Sequence, residues 1–193
     1  MKLKDERIAF GFGNSEVRIY DIDGGLNEKE LTIKINNCSR PISYINQLKN
    51  DVFVICTVTD IYFFFLKKYK YEFIKKLQYN ENVLKVDQLI TKEIIILFTH
   101  SIKILNNNYQ EIDEIKINCI NFEIISDKII ILGPDNISIN EYNGKNELIK
   151  IEQFDYYSIN SVKNIICLDE NTFAVIGQKN ILYYKSFMHY KIG

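Results

Sequence analysis

The chain has no tryptophan, 2 histidines, 2 prolines and 8 glycines in 193 residues, and each shortage excludes something. His100 falls in a polar turn and His189 in a tyrosine-rich tail. Neither has a convergent partner in the sequence, so neither reads as a general base or a metal ligand. With so little proline and glycine and no Ser/Gly tract, no linker or disordered tail is expected. Cys38, Cys56, Cys119 and Cys167 are isolated, without a C-x-x-C pair. That pattern argues against zinc and for reduced thiols, Cys56 and Cys167 lying inside apolar runs as small hydrophobes. The longest apolar stretch, Ile61–Leu66, is far short of the roughly 20 residues that cross a bilayer. The first ten residues lack a signal peptide's apolar core, so a cytoplasmic protein away from membranes is expected, with the nucleus left open. A formal net charge of −1 speaks against a uniformly basic surface, and DNA is not an expected partner. There is no G-x-S-x-G elbow, and Gly11–Phe12–Gly13 lacks the third glycine and the helix that would hold a pyrophosphate. Asp21–Ile22–Asp23–Gly24–Gly25 begins like a calcium loop, but the later ligands are out of register and a β-turn explains it. No catalytic residue, metal or cofactor is therefore expected.

What the chain does have is repetition. Five times, two runs of Ile, Val and Phe are joined by a short polar turn, at Asn14–Ser15, Thr59–Asp60, Thr99–His100, Pro134–Asp135 and Gln178–Lys179. The turns are 45, 40, 35 and 44 positions apart. Strand pairs recurring about every 40 residues mark β-propeller blades. The expected architecture is all-β, one propeller-like domain of about five four-stranded blades, closed or incomplete. Its repeats run 1–37, 38–80, 81–117, 118–154 and 155–193. A β-sandwich is the alternative, but it leaves the regular spacing unexplained.

The strand types fit blades. Second strands such as Ile94–Leu97 are continuously apolar, as in a middle strand buried on both faces. Fourth strands alternate: Leu31, Ile33 and Ile35 against Thr32 and Lys34, Ile115 and Ile117 around Lys116, Ile149 and Ile151 around Lys150. Alternation suits an outer, half-exposed strand, and lysine there discourages edge-to-edge pairing. The first repeat starts with its second strand near Arg7–Ile8, so its innermost strand is missing or reduced to Lys2–Leu3.

The segment Gly11 to Gly25, GFGNSEVRIYDIDGG, resembles the second and third strands of a WD-repeat blade. Val17, Arg18 and Ile19 stand at the third strand, and Tyr20–Asp21 takes the place of the Trp–Asp dipeptide. The other repeats lack that ending, and none has the Gly–His pair. The resemblance implies a divergent WD-repeat-like propeller.

One segment stands out for binding. Lys67–Lys76, KKYKYEFIKK, places Lys67, Lys68, Lys70, Lys75 and Lys76 among Tyr69, Tyr71 and Phe73. Lysines neutralise phosphates and exposed aromatics stack on bases. A lysine-protected edge with inward-packed rings is the plainer explanation of the same pattern. The expected function is a non-catalytic interaction platform, with protein partners in a larger assembly. The alternative is docking through this edge onto ribosomal or other structured RNA. A carbohydrate-active propeller using Asp60 and Asp135 as paired carboxylates is the remote third.

Overall fold

The computed structural model describes residues 1–21, 30–35, 40–67, 70–125, 128–143, 148–155, 162–169, 172–177 and 181–185. Every regular element among them is a β-strand, arranged in five antiparallel sheets of consecutive strands. The chain divides into two compact units, Met1–Asp87 and Gln88–Gly193.

The first unit holds two sheets. One is β1 (Ile8–Gly11), β2 (Glu16–Tyr20) and β3 (Glu30–Lys34). The other is β4 (Tyr44–Gln47), β5 (Val52–Cys56), β6 (Asp60–Lys67) and β7 (Lys70–Gln78). Alternate residues of the first sheet, among them Ala9, Val17, Ile19 and Ile33, pack on Phe53, Ile55, Tyr62 and Phe64 of the second. Burying a Phe or Ile of this kind contributes about 1.5–3 kcal/mol. Gly11 is needed at this contact, since a Cβ there would lie 2.6 Å from Cγ2 of Ile42.

The unit boundary falls inside β8 (Val83–Gln88), which opens the third sheet ahead of β9 (Ile94–Phe98), β10 (Ser101–Leu105) and β11 (Glu111–Lys116). The second unit continues with β12 (Asn121–Ile125), β13 (Lys128–Leu132), β14 (Asn136–Tyr142) and β15 (Leu148–Asp155). Its last sheet is β16 (Val162–Asp169), β17 (Thr172–Gly177) and β18 (Ile181–Lys185). Ile95, Leu97, Ile102 and Ile104 pack against Phe122, Ile129 and Ile131, and Ile130, Leu132, Ile137 and Ile139 against Ile165, Phe173 and Val175. The expected buried middle strands are present: every residue of β5 and β9 is buried.

Local chemistry repeats with the sheets. Inner strands end in the same tight turn after Leu3, Leu48 and Leu89, each with its amide donating to the carbonyl four residues on. The third residue after each leucine is left-handed: Glu6 at φ 71°, Asp51 at 66° and Lys92 at 84°. Non-glycine residues accept that conformation at a cost of about 1–2 kcal/mol, so the buried leucine and the turn's hydrogen bonds must offset it. Asn46, Asn121 and Asn164 on inner strands each accept from the next backbone amide. Asn46 also donates to the Val86 carbonyl at 2.9 Å, and Asn121 donates to Asn164, lacing successive inner strands together.

Several expectations are refined. Residues 1–3 do pair with β1, through a bridge of Lys2 with Ile8 and an Ala9 amide donating to the Met1 carbonyl. Asp60 is the buried first residue of β6, not a turn residue, because the turn closes at Thr57–Thr59. Cys56 and Cys119 are buried, but Cys167 is exposed, since the second half of β16 leaves the core; Cys38 lies outside the described residues. Of the outer strands, β3 alternates as expected, with Ile33 and Ile35 buried and Lys34 exposed, while three others do not. In β7, β11 and β15 the register slips by one residue, at Ile74, Ile112 and Ile151. Such bulges twist an edge strand and re-aim its side chains, and both Ile149 and Ile151 are exposed.

Candidate functional site: an aromatic groove on the first unit

The groove is built by β6 and β7 of the second sheet with the end of β3. In β6, Tyr62, Phe64 and Leu66 lie on the face turned to the first sheet, paired in register with Lys76, Phe73 and Tyr71 of β7. Strict alternation would put Phe73 and Lys76 on opposite faces. The bulge at Ile74 absorbs the odd residue and brings both to this side. Phe64 meets Tyr71 and Phe73 edge-on, with both centroid separations 5.7 Å. The far wall is Lys34 and Ile35. Together they enclose about 310 Å³.

The rings are covered on one side only: Phe73 is 56% exposed and Tyr71 39%. Lys76 is fixed in place. Its ammonium lies 3.1 Å from Oδ2 of Asp60 and 5.2 Å from the centre of the Tyr62 ring. The Tyr62 hydroxyl donates to the same Asp60 oxygen at 3.2 Å, and the Asp60 amide donates to the Thr57 hydroxyl. The other carboxylate oxygen of Asp60 is buried without a hydrogen bond. Lys34 lies 3.1 Å from Glu16. Lys34 donating to Glu16 is the largest of the influences that hold that carboxyl below the usual range. The result is a shallow apolar trough with an ammonium at β3 and another at β7.

Of the sequence candidates, Tyr71 and Lys76 line the groove together with Phe73. Lys75 pairs with Phe63 on the opposite face. Lys67 and Lys70 lie at the far end of the β6–β7 hairpin, Lys67 3.7 Å from Glu72. Lys68 and Tyr69 lie outside the described residues. Lys67, Lys70, Lys75 and Lys76 therefore do not converge on one surface. Sequence reading missed Lys34 and Ile35, which come from another sheet, and the role of Asp60. The signal for Asp60 was its i, i+2 relation to Tyr62, which puts both on one face of a strand.

Elsewhere, His100 is exposed with Nδ1 3.1 Å from Oδ1 of Asn118, and Asp135 occupies the exposed turn between β13 and β14. His189 and most of the Asp21–Gly25 segment lie outside the described residues. Among the described residues no cluster of three metal-binding side chains occurs, and no helix is long and apolar enough to cross a membrane.

No protein-family profile and no curated protein matches the sequence. Solved structures do. The chain is similar to the WD40 β-propeller domain of Doa1, with TM-score 0.67 and 11% identity over 93% of this chain and 61% of that one. It is similar to BamB from Moraxella catarrhalis, with TM-score 0.70 and 13% identity over 98% and 57%. YCF48 bound to D1 peptide gives TM-score 0.65 and 11% identity over 91% and 63%. The chain thus spans about three-fifths of the length of the structures it resembles. At this level of identity the likeness speaks for the fold alone, and that fold is a divergent, WD-repeat-like β-propeller.

Proposed function

We propose that this chain is a non-catalytic interaction platform, working as a subunit or factor of a larger assembly, and that the β3–β7 groove holds an extended segment of a protein partner. The observation that carries this reading is the pair Tyr71 and Phe73, half-exposed on an outer strand and flanked by Lys34 and Lys76. Exposed aromatic rings beside fixed cations suit a peptide with an apolar side chain next to a carboxylate. The outer edge of β7, nine residues long, supplies backbone groups for strand addition. One propeller of similar fold is itself bound to a peptide.

Selection from a random peptide library on the full chain tests the proposal. Enriched peptides should carry an acidic residue beside an aromatic or branched apolar one. Phe73→Ala should weaken their binding at least about tenfold, as removal of an interface anchor does. Single-stranded RNA titrated in parallel distinguishes the other reading. If oligouridine binds with a steep salt dependence and the peptides do not, the platform reading fails and the lysine edge is an RNA contact.

A further inference from the structure

The two ammonium groups of the β3–β7 groove are held by different means. Lys76 lies 3.1 Å from Oδ2 of Asp60, whose side chain is only 9% exposed, and 5.2 Å from the centre of the Tyr62 ring. Asp60 keeps one other side-chain donor, the Tyr62 hydroxyl, and its Oδ1 is buried without a hydrogen bond. Withdrawing Lys76 would strand a buried carboxylate, a far larger cost than a surface ion pair returns. Lys34 stands differently. Its side chain is 68% exposed, and its ammonium lies 3.1 Å from Oε1 of Glu16. Oε2 of that carboxylate takes Arg18 at 3.4 Å, and the Asn14 side chain also bonds to it. Glu16 keeps both of these partners when Lys34 turns away.

The charge balance differs in the same direction. At the β7 wall one cation meets one carboxylate. Beside β3 two cations, Lys34 and Arg18, share one carboxylate, which leaves an excess of positive charge. Lys75 and Glu72 register with Phe63 and Phe65 on the other face of the second sheet, so neither alters this balance in the trough. An anion entering the groove is therefore drawn toward β3.

We propose that Lys34 selects the partner segment by its carboxylate, turning from Glu16 to receive it, while Lys76 stays with Asp60 and braces the aromatic wall. This assignment rests on the peptide-platform reading and gives the bound segment an orientation across the groove. Its apolar side chain lies on Tyr71 and Phe73, and its carboxylate faces the opposite wall. Adjacent residues of an extended segment point to opposite sides, so the two belong next to one another. Glu16 is then an internal competitor, holding Lys34 whenever no partner carboxylate does.

Selection from a random peptide library on the full wild-type chain supplies the probes: an enriched acidic peptide, and a twin with lysine in place of its acidic residue. Lys34→Glu should weaken the acidic peptide at least about tenfold and strengthen the twin. Glu16→Gln should tighten the acidic peptide about two- to fivefold, the worth of one exposed ion pair. Asp60→Asn combined with Lys76→Met removes the other pair as a unit and should weaken both peptides by a similar factor. Circular dichroism verifies each fold. Lys34→Gln replaces Lys34→Glu should the latter misfold, and the Lys34 and Glu16 variants decide alone should the double variant misfold. An acidic peptide whose affinity is unmoved by either single variant, or a double variant that by itself reverses the charge preference, overturns the assignment to Lys34 and leaves the platform reading standing. So does a wild-type chain that enriches only uncharged or basic peptides. A wild-type chain that enriches no peptide overturns both.

Discussion

The outer strands β7 and β11 hold the same place in their sheets, and both carry a one-residue bulge, yet they present opposite surfaces. On β11 the charges are consumed locally. Lys103, mostly buried, reaches both carboxylate oxygens of Glu111 at 3.1 and 3.2 Å, and Lys116 pairs with Glu114. The isoleucines Ile112 and Ile115 pack against the core. On β7 the apolar side chains stay open: Tyr71, Phe73 and Ile74 are all exposed. The comparison teaches that the propeller scaffold supplies equivalent edges and that side-chain pairing decides which of them leaves its apolar side chains open.

The largest expected effect concerns what the two edges share. Phe63 in β6 and Phe98 in β9 are fully buried in the sheets that carry these edges, and Phe63→Ala and Phe98→Ala should each cost about 3–5 kcal/mol in urea denaturation. A much smaller loss at one position would mean the edges do not rest on equivalent cores. Next comes the difference in ion pairing. Lys76→Met leaves the Asp60 carboxylate buried with Tyr62 as its remaining side-chain donor, and should destabilise by about 1–3 kcal/mol. Lys116→Met, at a side chain 74% exposed, should stay within about 0.5 kcal/mol. Equal losses would erase the contrast. Phe73→Ala should change stability by less than about 1 kcal/mol, since the ring is more than half exposed. Its larger effect belongs to peptide binding.

The smallest effect is electrostatic. The Glu16 carboxyl is lowered chiefly by Lys34, with further donation from Asn14 and Arg18. A carboxyl depressed in the folded state contributes stability above its unfolded-state value and loses it as pH falls through the folded value. Lys34→Met should therefore raise the Glu16 titration midpoint by NMR. Any stability difference from it should be present at neutral pH and fade in acid.

Parts of this were legible in the chain. Continuous apolar runs such as Ile94–Leu97 gave the buried middle strands, and the five spaced turns gave the sheets. Tyr71 and Phe73 were visible as an unusual aromatic pair among lysines. The separation of the lysines was not legible, because β7 sends Lys75 and Lys76 to opposite faces and the hairpin carries Lys67 and Lys70 to its far end. The repeated leucine turn at Leu3, Leu48 and Leu89 went unread, since glycine, the usual marker of a left-handed residue, is absent there.

The sequence by itself determined an all-β chain of consecutive antiparallel sheets, because apolar periodicity and turn chemistry act within a few residues and need no distant partner. The tertiary structure alone decided the groove. A bulge at Ile74 re-aims Phe73 and Lys76, and packing of the first sheet on the second delivers Lys34 and Ile35. Register and stacking are set by the summed burial of two whole sheets, a long-range balance that no short stretch of residues records.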